Sequence, residues 1–127
     1  MNILLVDDNT SITKALSRLL SLKGHECVVC NDGRNALTLI VNEKFDLVLL
    51  DIAMPEMSGD QIINELEKQN KILLQPIVVL TASTISDEKI DSFTKQGVFA
   101  VLKKPVSSSV LYNIIEEAKK QKVHRYD

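Results

Sequence analysis

Short apolar runs alternate along the chain with longer segments in which apolar residues recur at helical spacing. The apolar runs are bounded by turn residues and have the length of strands. They cover residues 2–6, 26–30, 47–50, 76–80 and 99–102. A segment with helical spacing follows each run, so the sequence predicts a strand followed by a helix, five times over.

The clearest helix follows the first strand. Between residues 12 and 20 the apolar side chains keep the i, i+3, i+4, i+7, i+8 spacing of one helix face, and Gly24 supplies a C-terminal stop. A second clear pattern covers residues 107–122. Weaker patterns cover residues 35–42, 60–69 and 86–96.

This alternation predicts a parallel sheet with helices on both faces, because parallel strands need crossover connections and these are nearly always right-handed. Residues 77–80 are apolar without a break, as expected for a strand that is buried on both faces.

Length and composition are those of one ordinary globular domain, with 127 residues of which 45% are hydrophobic and 25% charged. We expect one domain over residues 1–122 and a short basic tail over residues 123–127. The net charge of −2 gives no broad basic field for nucleic acid or an anionic membrane. Asp7 and Asp8 interrupt the apolar start too early for a signal peptide, so we expect a cytoplasmic protein.

The two cysteines, Cys27 and Cys30, have the spacing of a redox or zinc motif. Residues three apart on a strand point to opposite faces, however, so the two thiols are not expected to converge. His25 follows Gly24 and lacks a partner in sequence, which favours a turn residue over a catalytic one.

Polar residues follow the predicted strands at the edge where an open parallel sheet binds its ligands. Asp7 and Asp8 follow the first strand, Asp51 the third, Thr81 the fourth and Lys104 the fifth. Three carboxylates, a hydroxyl and an ammonium group are therefore predicted along one edge of the sheet.

Clustered carboxylates repel one another and resist ionisation unless a cation joins them. Oxygen ligands in small number, with room for water, suit Mg²⁺. The structural alternative is that Asp7, Asp8 and Asn9 only cap the first helix. Capping does not account for Asp51 and Thr81 at the same edge, so the sequence favours a cation site.

Four segments that contain these residues match the receiver domains of two-component response regulators, which the chain resembles over nearly its whole length. They are residues 5–9, 51–59, 80–82 and 104–105. The resemblance implies an α/β fold of the flavodoxin-like (βα)5 type, a doubly wound sandwich whose five-stranded parallel sheet has the strand order 2-1-3-4-5.

The resemblance also implies a role for each residue at this edge. Asp51 would be the phosphoacceptor, and Mg²⁺ would be held by Asp7, Asp8, Asp51 and the backbone carbonyl of Ala53. Thr81 and Lys104 would contact phosphoryl oxygens. The family typically has a cis bond between Lys104 and the following proline, and Gly59 matches the turn that opens the third helix.

A receiver of this kind implies a sensor histidine kinase or a histidine phosphotransfer protein as donor, and a downstream protein as target. Direct binding to nucleic acid or membrane is not implied, and a monomer or weak homodimer is expected. Activity would be limited to self-phosphorylation and slow self-dephosphorylation, so no enzyme acting on a separate substrate is expected.

One position departs from the family pattern. Receivers usually carry Tyr or Phe three residues before the motif lysine, and here that residue is Val101. Phe99 lies two residues earlier. By strand alternation we expect it on the same face, where it would take part of the role of the missing ring.

Two other classes of protein share parts of this pattern. A Mg²⁺-dependent phosphohydrolase with an aspartyl-phosphate intermediate has a similar acidic edge. The D-x-D-x-T/V pattern typical of haloacid dehalogenases is missing here, as is a cap domain. A flavodoxin-like FMN binder would need a hydroxyl-rich phosphate loop after the first strand, where Asp7 and Asp8 would instead repel phosphate.

Overall fold

The computed structural model describes residues 1–126, and the side chains of residues 1–121. Strands and helices alternate throughout, as the sequence predicts. The strands are β1 (Asn2–Val6), β2 (Glu26–Cys30), β3 (Leu47–Asp51), β4 (Ile77–Thr81) and β5 (Ala100–Lys103). The helices are α1 (Thr10–Leu22), α2 (Gly33–Asn42), α3 (Gly59–Lys68), α4 (Asp87–Gln96) and α5 (Ser108–Tyr126).

The five strands form one parallel sheet in the order β2-β1-β3-β4-β5. This order confirms the predicted flavodoxin-like topology. The chain moves outward from β1 to one edge and from β3 to the other, so a crevice opens between the carboxyl ends of β1 and β3, where such folds bind their ligands.

Apolar side chains fill two layers, one on each face of the sheet. One layer packs β1, β3 and β4 against α2, α3 and α4, with Phe93 fully buried in it. The other packs the opposite faces of the strands against α1 and α5, through residues such as Leu20 and Ile115. The central strands β3 and β4 are buried along their whole length, which fixes the positions of the polar residues at their ends.

No helix in the described part of the chain is long and apolar enough to cross a membrane. Helix α5 continues to Tyr126. The predicted basic tail, residues 123–127, lies outside the residues whose side chains are described.

Helix α1 begins at a cap formed by Asn9, whose side-chain oxygen accepts hydrogen bonds from the amides of Ser11 (3.0 Å) and Ile12 (3.2 Å). Capping therefore accounts for one residue of the acidic stretch after β1, as such residues often do. Asp7 and Asp8 remain available for the crevice.

The two cysteines lie on opposite faces of β2, as predicted. Cys27 packs with the α1 and α5 layer, whereas Cys30 lies in the other layer. Both are free thiols. The Nδ1 atom of His25 lies 3.1 Å from the amino group of Met1, away from the crevice.

The prediction that Phe99 shares a face with Val101 is wrong. Val101 packs with the α2, α3 and α4 layer, and Phe99 packs with the α1 and α5 layer. Strand β5 begins at Ala100, so Phe99 precedes the region in which side chains alternate. Phe99 therefore cannot replace a ring at position 101.

Candidate functional site

Three carboxylates meet in the crevice between β1 and β3. Asp7 and Asp8 follow β1, Asp51 is the last residue of β3, and one oxygen from each lies within 4.8 Å of the others. Asp7 and Asp51 are each only 3% exposed, whereas Asp8 is exposed. The predicted acidic cluster is thus formed by two buried carboxylates and one at the surface.

Lys104 brings a positive charge to the same point. Its Nζ atom donates to Asp51 Oδ1 at 2.9 Å and to Asp7 Oδ2 at 3.1 Å. The backbone amide of Lys104 donates to the carbonyl of Thr81 at 2.7 Å, which ties the segment after β5 to the end of β4. The following Lys104–Pro105 bond is cis, as the family resemblance implied.

The electrostatic balance of the crevice follows from this geometry. Burial raises the pKa of Asp51, the hydrogen bond from Lys104 opposes the rise, and the neighbouring carboxylate of Asp7 adds to it. Burial would lower the pKa of Lys104, but its hydrogen bonds to Asp51 and Asp7 outweigh that effect and raise it. One ammonium group is thus shared by two buried carboxylates, and a further cation would relieve the remaining repulsion.

Two polar groups outside the acidic cluster position Asp7. The backbone amide of Asn9 donates to Asp7 Oδ1 at 2.9 Å, and Asn31 Nδ2 donates to the Asp7 carbonyl at 2.8 Å. Sequence reasoning missed Asn31. Since Asn31 directly follows β2, the rule that located Asp51 and Thr81 would also have located it.

A cavity of about 700 Å³ opens from the carboxylates. Ala53 and Lys104 line it together with Asp7, Asp8 and Asp51. The lining also includes Leu80, Ala82 and Ser83 from β4 and the segment after it, Pro105 and Val106 after β5, and Asn9, Ile12, Ala15 and Leu16 from α1 and its cap. The cavity is large enough for a small polar ligand.

Thr81 lies at the end of β4 and is 4% exposed. It does not line the cavity, although its chain neighbours Leu80 and Ala82 do. Its hydroxyl makes no hydrogen bond to another described residue, so the structure brings Thr81 to the edge of the site without a partner for its side chain.

The loop between β3 and α3 is held by close backbone contacts. The amide of Gly59 donates to the carbonyl of Ile52 at 3.0 Å. A Cβ atom on Gly59 would lie 2.8 Å from the carbonyl oxygen of Asp51. Glycine is therefore needed at position 59 because the backbone of Asp51 approaches closely, and not because the turn demands a special bend.

The same loop contains a residue in a strained conformation. Glu56 has a φ of 65°, and the amide of the next residue, Met57, donates to the carbonyl of Pro55 at 2.8 Å. A residue with a Cβ atom adopts this left-handed conformation at a cost of about 1 kcal/mol. Glu56 is exposed, so burial of its side chain offsets little of this cost.

Replacing Glu56 with glycine is expected to stabilise the protein by about 0.5–1 kcal/mol, because glycine adopts positive φ without a steric penalty. Urea denaturation measures this change in the free energy of unfolding. Glu56→Ala is the matched control, since alanine keeps the Cβ atom and should leave stability unchanged. Equal stabilisation by both substitutions would show that the charge of Glu56, and not its φ, is the source of the effect.

Comparisons with known proteins agree with this fold. The family model of the response regulator receiver domain matches residues 3–116. The transcriptional regulatory protein GlrR of Escherichia coli K12 is 36% identical over 120 residues, which are 94% of this chain but 26% of that protein. The chain thus spans about a quarter of this relative.

Among solved structures, the receiver domain of the Francisella response regulator 1452 has a TM-score of 0.86 and 28% identity, with 95% of this chain and 98% of that chain covered. A second structure is the receiver domain of a sensor histidine kinase from Pseudomonas aeruginosa PAO1, described with a magnesium ion coordinated in its active-site cleft. It has a TM-score of 0.78 and 25% identity, covering 91% of this chain and 94% of that one. The chain belongs to the response regulator receiver domain family, a family of signalling domains.

Proposed function

We propose that this receiver domain accepts a phosphoryl group on Asp51, with Mg²⁺ held by Asp7, Asp8, Asp51 and the backbone carbonyl of Ala53. The observation that carries the proposal is the meeting of three carboxylates within 4.8 Å, two of them sharing the Lys104 ammonium group, in the crevice where this fold binds ligands.

Asp51 is the expected nucleophile because it is the last residue of the buried central strand and lines the cavity. Its carboxylate oxygen would attack the phosphorus atom of a phosphohistidine on a sensor kinase or phosphotransfer protein. The new O–P bond forms as the N–P bond to the donor imidazole breaks, and the bonding electrons stay with the imidazole. The protein contributes mainly in-line positioning and neutralisation of charge.

Lys104 would move from pairing with Asp51 to pairing with the transferred phosphoryl group, since its ammonium group already lies 2.9 Å from the accepting carboxylate. An ammonium on a flexible stem suits phosphate oxygens. The unpartnered hydroxyl of Thr81, at the end of the neighbouring strand, would donate a hydrogen bond to a second phosphoryl oxygen.

The donor set fits Mg²⁺, which favours oxygen ligands and retains water when few carboxylates are available. When bound, the ion would offset the charge of the transferring phosphoryl group. Asp8 is exposed and Asp7 is buried, so Asp8 presents its oxygens from the solvent side and leaves space for the retained waters.

The rest of the proposal concerns the signalling context. The phosphorylated domain would bind a downstream protein. We place the domain in the cytoplasm, because this is where kinases take their phosphoryl groups from ATP. Neither nucleic acid nor membrane is proposed as a direct partner. The catalytic activity of the domain would be limited to its own phosphorylation on Asp51 and the slow hydrolysis of that phosphoryl group.

Acetyl phosphate with Mg²⁺ tests the proposal directly. We expect intact-mass measurement to show one added phosphoryl group that hydroxylamine removes, as an acyl phosphate requires. Asp51→Asn should acquire none, and Asp46→Asn, which changes an aspartate outside the crevice, should behave like the wild type. Undiminished labelling of the Asp51→Asn protein would overturn the assignment.

Mg²⁺ should raise the melting temperature of the wild-type protein, because a ligand that binds only the folded state stabilises it. The expected gain is about 1.4 kcal/mol at a concentration of roughly ten times Kd. Asp8→Ala should lose most of this shift, and Ca²⁺-free buffer with and without Mg²⁺ provides the comparison. A shift of equal size in both proteins would rule out Asp8 as a ligand.

A further inference from the structure

Strand β2 leaves one edge of the sheet open. Among the described residues its only strand neighbour is β1. The amide of Glu26 donates to the carbonyl of Met1 at 2.9 Å, and the carbonyl of Cys30 accepts from the amide of Asp7 at 3.2 Å. Because successive residues of a strand direct their backbone groups to opposite sides, the N–H and C=O groups of Cys27 and Val29 point outward from the sheet.

Apart from the exposed charge of Glu26 at its start, this edge lacks the usual devices that prevent another chain from pairing with it. Residues 26–30 contain no lysine, proline or glycine, and they pair with β1 in regular register without a bulge. Val28 and Val29 are 38% and 40% exposed. A straight apolar edge with outward backbone groups is a template for an added strand.

A groove of about 580 Å³ runs beside this edge, between α1 and the end of β2. Val29 forms its apolar side, and the groove contains the cationic side chains of Lys14 and Arg18. Neither cation makes an ion pair with another described residue, and α1 contains no acidic residue. The groove therefore presents two uncompensated positive charges next to unpaired backbone groups.

We propose that this edge binds an extended acidic segment of a partner protein, which adds to β2 as a further strand. Lys14 and Arg18 are four residues apart on α1, so their Cβ atoms lie roughly 6 Å apart. Alternate residues of a strand lie roughly 6.6 Å apart. Two acidic residues at i and i+2 of the added strand would thus match the two cations, while the residue between them packs beside Val28.

The charge of the groove argues against a second copy of this chain as the occupant. A two-fold interface places the same patch on both sides, so it would bring a second Lys14 and Arg18 to the first pair. Like charges across an interface oppose binding. An acidic partner is instead attracted by Lys14 and Arg18, and the proposal is independent of phosphoryl transfer because none of these residues lies in the cation site.

A short synthetic peptide in which glutamate alternates with valine tests this proposal on the full chain. We expect bound peptide to slow hydrogen exchange at the amides of Cys27 and Val29, whose N–H groups point outward. The Lys14→Glu/Arg18→Glu double variant should bind about tenfold more weakly or worse, since both charge contacts become repulsive. A peptide with Gln for Glu should bind similarly weakly to the wild type.

Lys44→Glu/Lys68→Glu is the matched control, because it makes the same change of net charge at exposed sites that do not line the groove and should bind normally. Val29→Pro removes one outward N–H group without removing a bond to β1, and should abolish slowed exchange at residue 27. Equal affinity of the two double variants, or protection that maps to the carboxylate crevice, would overturn the proposal. So would concentration-dependent dimers with both amides protected before peptide is added.

Discussion

Replacing Lys104 with methionine is expected to destabilise the metal-free protein by about 2–3 kcal/mol at neutral pH, because two buried carboxylates lose their shared cation. Removal of one partner from a fully buried ion pair costs more, but the Lys104 side chain is 29% exposed. Methionine keeps most of the stem, so the loss reports charge and not packing. Thermal melts should show a fall of roughly 10 °C.

Lys103→Met is the control, since Lys103 is exposed and adjacent in sequence but makes no ion pair with another described residue. Its melting temperature should stay close to that of the wild type. Mg²⁺ should restore part of the stability of Lys104→Met, because the ion would supply the missing positive charge. Equal melting temperatures for the two variants would show that Lys104 contributes nothing to the folded state.

The pH dependence of this difference has a defined sign. The folded-state pKa of Asp51 is raised, so ionisation of Asp51 costs stability progressively as the pH rises above the ordinary pKa of aspartate, and the cost is complete above the raised value. Below the ordinary pKa of aspartate the carboxyl group is protonated and needs no cation. The difference between wild type and Lys104→Met should therefore shrink as the pH falls into this range. The raised pKa of Lys104 keeps its contribution until alkaline pH.

Replacing Gly33 with alanine is expected to cost about 3 kcal/mol, through a steric clash between α2 and the loop after β3. A Cβ atom on Gly33 would overlap the carbonyl oxygen of Met57 and would lie 2.9 Å from its Cβ atom. The first of these contacts is to backbone, which cannot rotate away. Relief requires the loop to move, and the same loop contains Ala53, so weaker Mg²⁺ binding should accompany the loss of stability.

Gly24→Ala separates this steric effect from the effect of backbone conformation. Gly24 has a φ of +85°, and a Cβ atom there would meet nothing within 4 Å. The expected cost is about 1 kcal/mol from the left-handed conformation alone, and Mg²⁺ affinity should not change. A Gly33→Ala protein that is no less stable than Gly24→Ala would show that the loop accommodates the added methyl group.

Much of the fold could be predicted because the hydrophobic pattern of this chain is regular. Unbroken apolar runs predicted β3 and β4. Asp51 and Thr81 could then be identified as the polar residues that directly follow these runs. The ends of the strands could not be predicted to the residue, because β3 and β4 each include the polar residue that follows the apolar run. Hydrogen bonding between strands does not depend on whether the last side chain is apolar.

Features that depend on tertiary contacts could not be predicted. The prediction for Phe99 was wrong because it applied the alternation of strand side chains to the residue that precedes the first residue of β5. Glycine is needed at position 33 because the backbone of a segment distant in sequence approaches it. It is needed at position 59 because the chain folds back and brings its own preceding backbone close. Sequence spacing also cannot show that one ammonium group serves both Asp7 and Asp51.

That shared ammonium group sets the formal charge of the crevice. Three carboxylates and one lysine leave two negative charges in excess, which one divalent ion neutralises and one monovalent ion does not. Converting the Asp51 carboxylate to an acyl phosphate dianion would add one more negative charge to an otherwise electroneutral site. Phosphorylation would thus leave a single surplus charge at the mouth of the crevice, where the hydroxyl of Ser83, which lines the cavity, and that of Thr81 at the end of β4 could turn to meet it.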